Sequence, residues 1–474
     1  MGSASEQSGA GPGPVRRRLL GLAAPVYLEL LSGVVAGIVD TLWVSRLGVA
    51  AVGAVAVATT LENVLLGVIL LANIGTTVVL AERLGRDPSA HVLPVVRAAG
   101  VLWLVITPVV AVGGLLGRER IAALFTGGNG EVFRLTVEFL AVSFPGIAVF
   151  FAQNVVDGVF KGAGDTRTPM RTAMLANSLI LLLDPLLIYG FAGLPPLGVQ
   201  GAALGTVLGR AVAFTVSVLL LRRLLRGLRQ APRTPHVPSP STTSRPGPLN
   251  GTRAALRRVL AVGLPASGDF ILRMGIAVAL VGVVARFGEA PLAAYGIGTK
   301  VILFATMAFY AVRQAASILL ARTGSAVPGA GAVIGRQALL IASVLAVGAG
   351  TALLLGGGPL LRAFSSDPEV IGEGRVLLRF LALYLVALAG VVSLGGVFMG
   401  GGLAGAMFRI TLSGAAVQIP LAYGLSALPV LGVRGVWLSM VLGTASQYAL
   451  SFSLFRRHFP GAPEPARRTR ARAR

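Results

Sequence analysis

Two aspartates interrupt long apolar runs: Asp40 in GIVDTLW and Asp184 in LLLDPLLIYG. A charged side chain at membrane depth is costly, so a carboxylate kept there is a functional candidate. In low-dielectric surroundings a carboxyl group holds its proton to a higher pH than in water. It can then load and release that proton near neutrality, as a coupling ion requires. At roughly 1.5 Å per helical residue, Asp40 lies about 9 Å before Arg46 and Asp184 about 13 Å before Gly193. The two carboxylates fall at similar depth and could share one cavity. The plainer alternative is that Asp184 caps a helix break at Pro185 and Asp40 a helix end.

Other charges inside apolar runs are fewer and more ambiguous. Glu29 and Asp269 occupy matching positions in the two halves of the chain, where gating, lobe contact or simple pairing with an arginine is expected. Arg273 follows Asp269 by one helical turn and could neutralise it. Glu62 could line a cavity, or pair with Lys300 or Arg313. Neither lysine, Lys161 or Lys300, sits in a phosphate-cradling GxxxxGK run, which disfavours ATP-driven chemistry. His91, His236 and His458 have no metal spacing and no nucleophile constellation is present, so neither an enzyme site, a metal site nor a cofactor is expected.

The elements that must position these residues are membrane spans. Of 474 residues, 55% are hydrophobic and 12% charged, whereas about a quarter of an ordinary soluble chain is charged. Twelve apolar segments are long enough to cross a bilayer as helices. They lie at 19–45, 50–81, 93–117, 134–159, 169–192 and 198–221, then at 259–285, 291–320, 333–357, 376–400, 406–426 and 431–455. The second set repeats the first. LGVQGAALGTVLGRA from Leu197 returns as LGVRGVWLSMVLGTA from Leu431, 234 positions on, while Pro25 faces Pro265 and Arg46 faces Arg286 at a spacing of 240.

A duplicated apolar block of this size implies an all-α integral membrane protein with 12 transmembrane helices. Its two homologous six-helix lobes would be related by a pseudo-twofold axis along the membrane normal and could rock about a site between them. The expected organisation is an N-tail at 1–18, an N-lobe at 19–222, a linker at 223–258, a C-lobe at 259–456 and a basic C-tail at 457–474. The partners of Asp40 and Asp184 in the repeat are Leu280 and Gln418, so the carboxylates belong to one lobe only.

Net charge of +23 could suggest nucleic-acid binding, but its distribution points to topology instead. With the N-tail and alternate loops inward, 28 of the 41 lysines and arginines face inside and 9 outside. That bias places both termini in the cytoplasm of a multi-pass plasma-membrane protein. The stretch from Gly227 to Gly251, rich in Pro, Ser, Thr and Arg, reads as a flexible linker. The first apolar segment is too long for a signal peptide and should be retained. There is no cysteine, so disulfides are excluded.

These motifs carry a resemblance. A proline in the first span, the DTLWVSRLG run from Asp40 to Gly48, GAGDTRTP from Gly162 to Pro169, LDPLLIYG and LGVQGAALGT together resemble the multidrug and toxic compound extrusion (MATE) transporters, and look most like their DinF-like branch. The resemblance covers nearly the whole chain. It implies a proton-coupled antiporter that exports amphipathic, often cationic, compounds by alternating access; a monomer in the lipid bilayer is expected. It also implies Asp40 and Asp184 as the proton-coupling pair, with Asn154, Asn177 and Thr206 as polar neighbours. One position departs: the asparagine common four residues before the LDP aspartate is Ile180 here. Sodium coupling is the nearer alternative. A lipid-linked-sugar flippase of the same superfamily, using Arg210, Arg273 and Arg313 to hold a pyrophosphate, is the further one. A reporter fused after Arg229 should therefore read cytoplasmic, and an extracellular signal would overturn the twelve-span topology.

Overall fold

The computed structural model describes residues 12–87, 91–190, 195–230, 251–324, 327 and 329–460. Most of the expected tails, the centre of the expected linker and His236 lie outside the described residues. Twelve long helices occur among those described: α1 Pro12–Ser45, α2 Val49–Arg86, α3 Leu93–Thr126, α4 Gly130–Gly162, α5 Arg167–Tyr189, α6 Gly198–Gln230, α7 Thr252–Val284, α8 Glu289–Thr323, α9 Ala330–Phe364, α10 Pro368–Gly400, α11 Ala404–Ser426 and α12 Val433–His458. The first ten are both long and apolar enough to span a bilayer. α11 and α12, at 23 and 26 residues, have the length but not a stretch as apolar as those of the other ten.

Helical backbone also enters the stretch read as linker. α6 continues to Gln230 and α7 starts at Thr252, because Arg222, Arg223 and Arg226 are good helix formers and the first proline comes only at Pro232. The GDTRTP loop turns the chain between α4 and α5. Asp165 accepts from the backbone nitrogens of Arg167 and Thr168, both at 3.0 Å, and so caps the start of α5.

The duplication is visible in matching devices. Gly48 and Gly288 stand 240 positions apart at the starts of α2 and α8 with φ of 108° and 103°, a conformation that side chains with a Cβ rarely adopt. The described residues fall into two compact bodies. One comprises Gly21–Val278 with Ala404–Leu412, and the other Ala279–Leu403 with the residues from Ser413 onward and those before Gly21. In the first body α4 packs against α2, α3 and α6; in the second the repeat-equivalent α10 packs against α8, α9 and α12. Large apolar side chains such as Leu104, Val109 and Leu116 on α3 remain exposed. A face of that kind suits hydrocarbon, and in water it would be an aggregation surface.

The boundary between the bodies does not follow the midpoint of the repeat, because most of α7 is seated on α2. A Cβ at Gly263 would collide with the Leu71 carbonyl, and one at Gly75 with the Val259 carbonyl. Ser267 Oγ donates to the Gly67 carbonyl at 2.6 Å. Small residues let the two backbones approach, which is how helices associate where lipid removes the hydrophobic drive. Gly263→Ala should cost about 1–3 kcal/mol through overpacking, read as a lower melting temperature in detergent. Gly275→Ala, on the same helix with open space around it, should leave the melting temperature unchanged.

Candidate functional site

Asp184 is held by the way α6 meets α5. Gly201, Gly205 and Gly209 form one stripe along α6 at a spacing of four. Cβ atoms on them would strike the Leu187 backbone, Asp184 Oδ1 and Ile180 respectively. Bare backbone therefore closes over Asp184, which is 0% exposed. The Asp40 carboxyl on α1 faces it. Two clips keep α1 and α5 in register on either side of the pair. Toward the chain's Asp40-to-Trp43 end, Tyr189 OH donates to the Trp43 carbonyl at 2.5 Å. Farther back, Asn177 Nδ2 donates to Ser32 Oγ at 2.8 Å.

Among the described residues no donor reaches either oxygen of Asp184 or Oδ1 of Asp40. Ile180, standing where an asparagine would donate, is buried and contributes only its apolar body. Beside the pair opens a cavity of about 190 Å³ lined by Asp40, Glu62, Ser143, Asn177, Thr206 and Arg210, together with apolar residues of α1, α2, α4, α5 and α6. Glu62 accepts a hydrogen bond from Ser143 Oγ. Arg210 lays its guanidinium over the Phe150 ring, 4.2 Å from the centroid.

The structure thus brings Asp40, Asp184, Asn177, Thr206 and Glu62 together and leaves the other expected residues apart. Asn154 donates to the Phe150 carbonyl at 2.9 Å and its own carbonyl accepts from Asn73 Nδ2 at 2.7 Å, so it ties α4 to α2 away from the cavity lining. Glu29 pairs with Lys161 at 2.8 Å, a lysine where an arginine was expected. The end of α4 passes α1 closely enough to keep that lysine buried. Asp269 pairs with Arg273 at 3.2 Å and accepts from Thr411 Oγ1, and Arg273 also donates to Thr411 at 2.9 Å. In the second body, Lys300 is exposed and Arg313 is buried with Nη2 3.1 Å from Met399 Sδ.

Sequence reasoning missed three residues. Asp157, inside the fourth span, is buried and accepts from Gln153 Nε2 at 2.8 Å; its position in an apolar run was the available signal. Ser143 had none, since a hydroxyl in a span is common. Arg210 was weighed only as a pyrophosphate ligand. Its place four residues after Thr206, hence on the same face of α6, was the cue to the carboxylate cavity.

A twofold-repeated set of long apolar helices with an ionisable cavity on one repeat is the build of a membrane transporter rather than an enzyme. The MatE family model matches residues 25–186 and again 265–424, so the chain belongs to the MatE family. It is 26% identical over 454 residues to the probable multidrug resistance protein NorM of Thermotoga maritima, covering 93% of this chain and 92% of that one. It is 23% identical to an FAD transporter of Shewanella oneidensis, covering 79% and 78%. Among solved structures, the VcmN MATE transporter of Vibrio cholerae has the same fold, with a TM-score of 0.81 at 18% identity over 94% of this chain and 97% of that one.

Two facing carboxylates without a donor are poorly matched, and an amide in one of them would supply one. Asp184→Asn should therefore stabilise the protein at pH 8 by about 1.5–3 kcal/mol, the worth of a hydrogen bond to a charged group. A lower melting temperature in detergent would show that the Asp184 carboxylate already has its partner.

Proposed function

We propose that the chain is a secondary antiporter that exports amphipathic organic cations in exchange for protons, with Asp40 and Asp184 as the coupling pair. The observation that carries this reading is the donor-free carboxylate pair opening on a cavity. One proton shared by the two aspartates removes a charge and supplies the missing hydrogen bond. A substrate cation is held by the negative charge that remains, and each further proton removes charge that the cation needs, so proton and cation binding are reciprocally linked.

A cavity of about 190 Å³ is smaller than the roughly 300–1,000 Å³ of sites that enclose a drug-sized ligand. It accepts the cationic end of an amphiphile, with the apolar remainder outside it. Recognition by charge and apolarity is the expected behaviour of a multidrug exporter, and the multidrug resistance designation of the NorM relative supports it.

The rivals find less support. Of the three arginines suited to a pyrophosphate, Arg273 is engaged by Asp269 and Thr411, and Arg313 lies against Met399. Arg210 shares its cavity with carboxylates that would repel the anion. Sodium coupling through the second half would need a carboxylate available for the ion, and Asp269 is held by Arg273. The protein acts, in this reading, as a monomer in the plasma membrane with both termini cytoplasmic.

In inverted vesicles an imposed proton gradient should drive uptake of a lipophilic cation, and an imposed sodium gradient should not. Asp40→Asn keeps the side-chain volume and removes the titration, so it should abolish the proton-driven flux while the protein still inserts. Unchanged flux in the variant would remove Asp40 from the coupling role.

A further inference from the structure

Arg210 is a cation built into a cation site. Its guanidinium rests on Phe150 of α4, 4.2 Å from the ring centroid, and lines the same cavity as Asp40 and Glu62. Among the described residues no carboxylate lies within ion-pair distance of it and no hydrogen bond holds it. The aromatic face holds the planar cation without using its five donors, which leaves them available to the cavity. The position is also specific to one half of the chain. At the repeat spacing of 234, Arg210 faces Thr444 and Asp184 faces Gln418, and at the spacing of 240 Asp40 faces Leu280.

The charge around the cavity is set by groups from four helices: Asp40 on α1, Glu62 on α2, Asp184 on α5 and Arg210 on α6. α4 supplies only Ser143, Phe150 and apolar side chains to its lining. Fully ionised, the four carry three negative charges and one positive. One proton on the aspartate pair leaves a single net negative charge, matched to a monocation. A second proton brings the site to neutrality. Without Arg210 the doubly protonated site would still hold the charge of Glu62 and would go on retaining a cation.

We propose that Arg210 is the charge-setting residue of this transporter: a tethered counter-cation that limits the cavity to substrates with one positive charge and lets protonation expel them. This rests on the proton-antiport reading.

The test is equilibrium binding to the purified full-length protein from pH 8 to pH 5, using tetraphenylphosphonium as the monocation and dequalinium as the dication. Wild type should bind the monocation more weakly as pH falls and should prefer it to the dication. Arg210→Gln should bind the dication about tenfold or more tighter than wild type, as loss of a nearby like charge requires. It should also retain the monocation at pH 5. Arg210→Lys, which keeps the charge, should restore the wild-type order of the two probes. Arg210→Gln with a wild-type pH profile and wild-type monocation preference would overturn the proposal. If wild-type binding is itself flat with pH, the antiport reading fails first. If wild type responds to pH, Asp40→Asn loses that response and Arg210→Gln changes nothing, only the role of Arg210 fails. Phe150→Leu, which removes the aromatic station and leaves the charge, should alter affinity for both probes without reversing their order. A reversal in that variant would assign the preference to the ring.

Discussion

The chemistry of the cavity depends on one contact, the glycine stripe of α6 laid against α5. Because Gly205 has no side chain, backbone reaches Asp184 directly and water and donors are shut out together. Any larger residue would open a gap around the carboxyl or displace it, and either change would let in the solvation that the site excludes. A buried carboxylate is ordinarily a cost to be offset by donors. Here the packing that seals it is also what leaves it without them, so the site stores an unmet need for a proton or a cation.

The second half of the chain shows that this packing does not require the charge. Gly435 and Gly443 of α12 meet the Leu425 backbone and Gln418 of α11, as Gly201 and Gly209 of α6 meet α5. The position of Gly205 is taken by Ser439, and that of Asp184 by Gln418, an amide with donors of its own. A similar small-residue docking, shifted by one helical turn along the partner helix, therefore carries an ionisable site in one repeat and a neutral one in the other. Helix association is set by small residues and backbone approach, and the charge set can diverge without changing the fold.

Much of this was legible in the sequence because it follows from local periodicity. Twelve apolar runs, the repeat spacings and the common depth of Asp40 and Asp184 all follow from counting along the chain, and so does the placement of Glu62 as one of two options. What periodicity does not contain is the neighbour across a helix contact. The seat of α7 on α2 depends on Gly75, Gly263 and Ser267 meeting particular carbonyls, and a glycine in a span marks close approach without saying to what. Lys161 as the partner of Glu29 was hidden for the same reason, since the two are 132 residues apart. Arg210 was recognised as a charge in a span, but its meaning turned on which carboxylates share its cavity.

The contrast with the ion-paired carboxylates sets the Asp40 and Asp184 pair apart. Glu29 has Lys161 at 2.8 Å and Asp269 has Arg273 at 3.2 Å. A carboxylate with a cation in contact gains little from a proton, and separating such a pair strands an unpaired charge in apolar surroundings. These pairs behave as fixed ties between helices. Asp40 and Asp184 lie in the same medium with no such partner in contact, and the nearest permanent cation, Arg210, is held off on an aromatic ring. Distance between cation and carboxylate thus separates structure from function here: contact makes a tie, whereas a gap bridged only by a mobile proton or a substrate makes a site that can exchange its occupant.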